Sequence, residues 1–381
     1  MLIMSSDVRK GLEGVVVDET AIAKTDIHSL TYRGYPVQEL AQHCSFEEVA
    51  YLIWNGDLPT TEQLEEFTQE EIEQREISEQ LISVIRSFPH TAHPMDTLRT
   101  AVSHLGMEAL DVMDNSPTAN RNKAVRLLAQ IPTIAAADYR YRQGLERIPP
   151  SAELSFSANF FNMCFGQIPS QEVLDCFEVA FILYAEHGFN SSTFTARIVA
   201  STLSDMYSAV TAAIGSLKGS LHGGANAGVM RMLLEIGKPE LAQSWVDSAL
   251  AAKRKIMGFG HRVYKRGDPR VPIMHAAHNE MARSSGDHQW LDIQEIVTRT
   301  MWERRRMYPN IDYEAGPTYY LMGFDIAIFG PLFVMSRMVG LTAHFTEQMA
   351  FNRMIRPISS YVGPTQRALT DRTKSRALNV L

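Results

Sequence analysis

Residues 192–217 read STFTARIVASTLSDMYSAVTAAIGSL, and their pattern decides the fold class. Phe194, Ile198, Leu203, Met206, Val210, Ile214 and Leu217 recur at helical spacing, with Ala, Ser and Thr between them. Such small side chains let a helix come close to its neighbours, so the pattern predicts one long helix buried in a helical core or interface. Segments 46–54, 61–87, 95–110, 120–143, 171–187, 240–256, 289–307 and 331–350 read the same way. Strand signals are confined to GVVVDETAIAK (14–24) and LTYRG (30–34), and QGLERIPPSAEL (143–154) is the most linker-like stretch. The expectation is an all-α protein of enzyme size.

Composition agrees. The chain has 381 residues, 45% apolar and 21% charged, the balance of a folded protein and not of a disordered one. Cys44, Cys164 and Cys176 form no C-x-x-C pair, which argues against a disulfide framework or a thiolate metal site. The opening MLIMSSDVRKGLEG lacks a signal-peptide core, and the most apolar run, FDIAIFGPLFVM, carries Asp325 and Pro331. A cytoplasmic, non-membrane protein is expected. The net charge of −7 disfavours a dedicated nucleic-acid binder. Yet residues 253–270, KRKIMGFGHRVYKRGDPR, hold seven Lys or Arg against the single acid Asp268. Gly258, Gly260, Gly267 and Pro269 break helical periodicity there, so this stretch reads as a structured loop and a local anion site.

Three islands place histidine beside glycine. In LYAEHGFNSSTFT (183–195) a helix ends at His187-Gly188, and Asn190, Ser191 or Ser192 can cap the next. In GSLHGGAN (219–226) His222 sits just before a helix-like AGVMRMLLEI, where the dipole disfavours imidazolium; a neutral histidine there can hydrogen-bond a developing oxyanion. The third is His261 within the basic loop, beside Arg262, Lys265, Arg266 and Arg270. Neither a Walker motif nor a G-x-G-x-x-G after a strand is present. His90/His93 and His275/His278 have ligand-like spacing without an acidic third ligand nearby in sequence, and read as surface histidines. PNIDYEAGP (309–317) sets Asp312 in a turn-rich stretch, as general base or Asx-turn residue. Arg337 lies in an apolar helix, where a charge calls for an anionic partner, and Arg356 precedes Pro357 in an extended tail. Together these residues describe carbon–carbon or acyl chemistry on a small polyanion.

The ordered runs EHGFNSSTFTARIVASTLSDMYSAVTAAIGSLKGSLHGGAN, MGFGHRVYKRGDPR, PNIDYEAGPTYYLMGF and IRPISSYVGP resemble the citrate synthase family, and within it the short bacterial 2-methylcitrate and citrate synthase branch. The likeness spans nearly the whole chain. Two departures are Ala227, where the family often has an acid, and a short segment between HGGAN and MGFGH. The resemblance implies a two-domain, mostly helical homodimer: a large domain of 1–218 and 325–381, and a small domain of roughly 219–324. It implies His222, His261 and Asp312 as the catalytic trio, and His187, Arg270, Arg337 and Arg356 as oxaloacetate ligands, Arg356 reaching the partner subunit's site. It places Lys255, Ile256, Met257, Gly258 and Phe259 along CoA, with Arg262, Lys265 or Arg266 near its phosphates, and Arg75 at a less securely matched basic ligand position. No metal or redox cofactor is implied, since the acyl-CoA is a substrate. Phe189, Tyr313 and Phe324 are candidates for setting the choice between propionyl-CoA and acetyl-CoA. Dedicated citrate synthase is the alternative; a non-catalytic CoA- or nucleic-acid-binding protein is the reading from another class.

Overall fold

Sixteen α-helices, two short 3-10 turns and one small sheet make up the regular structure among residues 8–367, which the computed structural model describes. The helices of the first half are α1 Val37–His43, α2 Phe46–Asn55, α3 Thr61–Glu73, α4 Glu79–Arg86, α5 Pro94–Glu108, α6 Pro117–Arg142, α7 Phe156–Phe165 and α8 Gln171–Tyr184. The second half adds α9 Ser191–Ser201, α10 Met206–Leu217, α11 Ala225–Ile236, α12 Pro239–Ala251, α13 Val271–Ser285, α14 Gln289–Arg305, α15 Ile311–Leu321 and α16 Phe329–Ala350. Strands β1 Ala23–Thr25, β2 Leu30–Tyr32 and β3 Tyr35–Pro36 pair antiparallel in that order, with Tyr32 opposite both Ala23 and Tyr35. Thr20–Met354 form one unit; among the described residues, 8–19 and 355–367 belong to another, in which Arg356 is exposed.

The mostly helical reading holds, with local differences. The single helix expected over 192–217 is a pair, α9 and α10. Leu203 turns the chain with φ +63°, and the Asp205 carboxylate accepts the Ser208 N–H at 2.9 Å to start α10. Met206, Val210, Ile214 and Leu217 are buried, whereas Ile198 and Leu203 are exposed. Likewise 61–87 divides into α3 and α4, because Ser78 caps a new helix by accepting the Leu81 N–H. PNIDYEAGP proves to be the first turns of α15, not a turn-rich connection. Helix α7, FSANFFNMCF, escaped the periodicity search because eight of its ten residues are buried, leaving no polar stripe. Residues 253–270 form a loop, as the glycines predicted.

QGLERIPPSAEL is the α6–α7 connection and is tied down: Ser151 and Leu154 carbonyls both accept from Arg75. Residues 326–350 are long and apolar enough to cross a membrane, but most of this segment is buried within the protein as a core helix. Of the strand signal at 14–24, Val15–Val17 are exposed and only the end enters β1. The sheet matters to the site through Tyr32, whose hydroxyl donates to the carbonyls of Ile182 and Glu186 at 3.0 Å and braces the turn leading to His187.

Candidate active site

Three helices begin at the residues of interest. His222 stands two positions before Gly224, the N-cap of α11; Arg270 is the N-cap of α13; Asp312 is the second residue of α15. Helix α15 packs against both of the others. Its approach to α11 is close: a Cβ on Gly316 would lie 2.6 Å from the Asn226 carbonyl. Asn310 caps α15 by accepting the Asp312 N–H at 3.1 Å, and its side-chain amide donates to the Gly260 carbonyl at 2.9 Å. The basic loop is knitted to the same turn, since Asn310 N–H donates to Gly258 O and Gly260 N–H to Tyr308 O, each at 2.9 Å. Gly258 is required here. It adopts φ +80°, and a Cβ would sit 2.7 Å from Tyr313 Cδ2.

Hydrogen bonds fix the histidine tautomers. His222 Nε2 faces the Ser192 N–H at 3.3 Å and its hydroxyl at 2.8 Å, so the lone pair is on Nε2 and the proton on Nδ1. His261 Nδ1 accepts from the Val263 and Tyr264 N–H groups at 3.1 and 3.2 Å, which leaves its proton on Nε2. Both rings are kept neutral. Burial, then the Arg337 charge, pulls His222 down to about 4; burial, then Arg270, does the same to His261. His187, hydrogen-bonded through Nε2 to the Tyr264 hydroxyl at 3.0 Å, is likewise held well below its ordinary value, by burial and then by Arg270, His261 and Arg337. Its ring lies 5.1 Å from that of His261.

The carboxylate of Asp312 is raised from its ordinary value by burial, although the Tyr184 hydroxyl, donating to Oδ1 at 2.6 Å, and the Arg270 charge oppose this. A buried carboxylate pushed upward is a stronger base. Arg270 grips Asp268 with two parallel bonds of 2.9 and 2.8 Å; burial works against its charge, but Asp268 raises it on balance. Arg337 departs from expectation. Among the described residues it makes no ion pair, its Nε donates to the Tyr184 carbonyl at 2.7 Å, and burial lowers its pKa. An anion supplied from outside would meet that need. Phe333, four residues earlier on α16, ties the parts together: its ring is 4.9 Å from the Arg337 guanidinium, 4.7 Å from the Tyr184 ring and 6.2 Å from that of His222.

Around the basic loop, Lys255, Arg262, Lys265 and Arg266 are exposed, Ile256, Gly258 and Phe259 are buried, and Met257 is partly so. Arg75 is a different case. Its guanidinium is buried on Glu71 and on the Ser151 and Leu154 carbonyls, contacts that tie α3 to the α6–α7 connection. His275 and His278 are not a surface pair either: His278 is wholly buried, and both bond Glu314. Tyr313 packs on Phe259, and Phe324 among Phe160, Phe161 and Phe165. Phe189 lies under Arg197. Sequence reading missed Tyr184, Ser192, Tyr264, Asp268 and Phe333. Four of these lie inside motifs already singled out, and Phe333 is one helical turn from Arg337.

A family description, "Citrate synthase, C-terminal domain", matches residues 11–358. The citrate synthase of Mycolicibacterium smegmatis is 53% identical over 95% of this chain and 97% of its own length. The 2-methylcitrate synthase of Mycobacterium tuberculosis is 52% identical over 95% and 92%. Among solved structures, the citrate synthase of Thermoplasma acidophilum, in ternary complex with carboxymethyl coenzyme A and oxaloacetate, superposes with a TM-score of 0.91 at 32% identity, covering 96% of this chain and 98% of that one. The chain belongs to the citrate synthase family.

Proposed function

We propose that this enzyme is a 2-methylcitrate synthase, condensing propionyl-CoA with oxaloacetate and water to give 2-methylcitrate and CoA, and that it also turns over acetyl-CoA. It is an acyltransferase of the citrate and 2-methylcitrate synthase type. The observation that carries the reading is the pair of neutral histidines protonated on opposite ring nitrogens, with a raised, buried carboxylate linked to His222 through Tyr184 and Phe333. Asp312 removes the α-proton of the thioester while His222 Nδ1–H hydrogen-bonds the thioester oxygen as the enolate forms. The nucleophilic carbon attacks the ketone of oxaloacetate, whose oxygen takes a proton or strong hydrogen bond from His261 Nε2–H. Water then hydrolyses the acyl-CoA intermediate. General acid–base groups contribute about 10²–10⁴-fold each, so donors aimed at the developing oxyanions supply much of the rest.

His187, Arg270 and Arg337 take the oxaloacetate carboxylates, joined by the partner subunit's Arg356 in a homodimer. The small domain of 219–324 closes over them before the thioester is attacked, which limits its wasteful hydrolysis. Lys255–Phe259 line CoA, and Arg262, Lys265 and Arg266 meet its phosphates. Three free thiols accord with a cytoplasmic setting. One methylene separates the two acyl groups, worth about 1–3 kcal/mol in an apolar wall such as Phe333 provides. The test is kcat/KM for both thioesters at saturating oxaloacetate, followed by thiol release. Propionyl-CoA should be preferred; a clear preference for acetyl-CoA would make this a dedicated citrate synthase, and no turnover with either would leave a binding protein.

A further inference from the structure

Helices α13 and α15 are joined by a polar cluster that the reaction does not use. His275 and His278, one turn apart on α13, both direct Nδ1 at the same oxygen of Glu314, Oε2, at 3.1 and 3.3 Å. His278 is wholly buried, Glu314 is 4% exposed, and His275 is half exposed. Burial raises the Glu314 carboxyl, but the bonds from the two histidines bring it below its ordinary value. The carboxylate accepts at Oε2 from both rings, and on His278 this leaves Nε2 on the far side of the ring. That nitrogen has no partner, although it is buried. An unpartnered buried nitrogen is costly, and apolar side chains at 278 and 314 would pack the same helix pair without it. Buried polar networks of this kind fix one register between packed elements, where an apolar contact tolerates several.

The register in question bears on the active site. Arg270 caps α13 five residues before His275, and Asp312 lies two residues before Glu314 on α15. Above the cluster the helices meet a second time, where Asp268 Oδ2 accepts the Ile311 N–H at 3.2 Å while holding Arg270. Two attachments on adjacent rods leave little freedom to slide. The geometry points to Glu314, with His275 and His278, as a positioning clamp that sets the distance between the oxaloacetate-binding Arg270 and the base Asp312. None of the three touches substrate. This inference rests on the roles proposed above for Arg270 and Asp312.

Glu314→Leu removes the clamp, whereas Glu314→Gln keeps an accepting oxygen without the charge. Three measurements separate positioning from plain stability: kcat and oxaloacetate KM, thermal unfolding, and amide hydrogen exchange over residues 308–316. In Glu314→Leu, kcat should fall about tenfold or more, because an ångström-scale displacement of a reacting group is enough for that. The oxaloacetate KM should stay within about threefold, exchange over 308–316 should quicken, and Glu314→Gln should recover most of the rate. Wild-type kcat in folded Glu314→Leu overturns the clamp, whatever happens to its melting temperature. If Glu314→Leu does not fold, His275→Ala, at a half-exposed position, decides: a kcat lowered severalfold with faster exchange supports the clamp, and unchanged kcat overturns it. A wild-type enzyme inert toward both thioesters sinks the functional reading instead; the exchange measurement then judges the clamp alone, supporting it if the 308–316 amides loosen and overturning it if they do not.

Discussion

Two buried arginine–carboxylate pairs, Arg75–Glu71 and Arg270–Asp268, are nearly alike and do different things. Each arginine is almost fully buried, at 2% and 4% exposure, and each sets Nε and Nη2 against one carboxylate. The third nitrogen separates them. Arg75 Nη1 donates to two carbonyls, Ser151 at 2.8 Å and Leu154 at 2.7 Å, and so belongs wholly to the scaffold. Arg270 has no third contact of this kind among the described residues, and it stands at a helix tip beside Tyr264 and the histidines it perturbs. Burial and a carboxylate partner therefore do not mark a binding arginine. The uncommitted donor is what supports the oxaloacetate role proposed for Arg270.

The sharpest way to break this comparison is to remove each arginine in turn. Arg270→Leu should lower kcat/KM by about 10³-fold, the upper range for losing a buried, charged hydrogen-bonding partner. Arg75→Leu should leave the specific activity of the folded protein within about twofold while lowering stability by about 3–5 kcal/mol, the cost of stranding a buried Glu71. Denaturant unfolding beside steady-state kinetics checks both, and a loss of oxaloacetate affinity in a still-stable Arg75→Leu would erase the distinction.

A smaller effect is expected at Tyr184, which restrains the proposed base, Asp312. Its hydroxyl lowers the Asp312 carboxyl against the effect of burial, so Tyr184→Phe should let that pKa rise further. The acidic limb of the kcat–pH profile should then move to higher pH, with kcat at its plateau falling no more than about tenfold. A limb that stays in place would mean that the phenol does not govern the base.

The smallest effect sharpens the comparison through opposite signs. Burial raises Asp268, but Arg270 prevails and the net shift is downward from 3.8; burial raises Glu71 above 4.5 in spite of Arg75. The Asp268 contribution is fully present above about 3.8 and is lost as pH falls through the folded value below it. For Glu71 the folded state holds its proton more tightly, so its contribution declines as pH rises from 4.5 through the folded value. Denaturant titrations from acid to neutral pH should show wild type gaining on Asp268→Asn with rising pH, and Glu71→Gln gaining on wild type. Slopes of the same sign would contradict the assignment.

Much of this was legible in the sequence, and what was not has a physical cause. Glycine and histidine stand out against helical periodicity, so all three histidine islands and the basic loop were visible. Helix ends set by a single capping side chain, Ser78 or Asp205, were not, because apolar spacing continues across them. The helical state of PNIDYEAGP was hidden by Gly316 and Pro317, which read as breakers; Gly316 instead serves the close approach to α11. Arg75 and Arg270 could not be told apart, since the carbonyls that saturate one are supplied by residues 76 and 79 positions away. The third member of the His275–His278 cluster, Glu314, lies 39 and 36 positions on, beyond any local spacing rule.

His222, Arg270 and Asp312 stand at the leading tips of α11, α13 and α15, and the trailing ends of these helices carry none of the chemistry. Helix α11 gives way to α12 through only Gly237 and Lys238, and α13 to α14 through a three-residue turn at Gly286. Insertion or loss of residues at those distal turns changes length without moving a reacting group. The same turns are where a reporter peptide can be spliced in with the least disturbance to turnover.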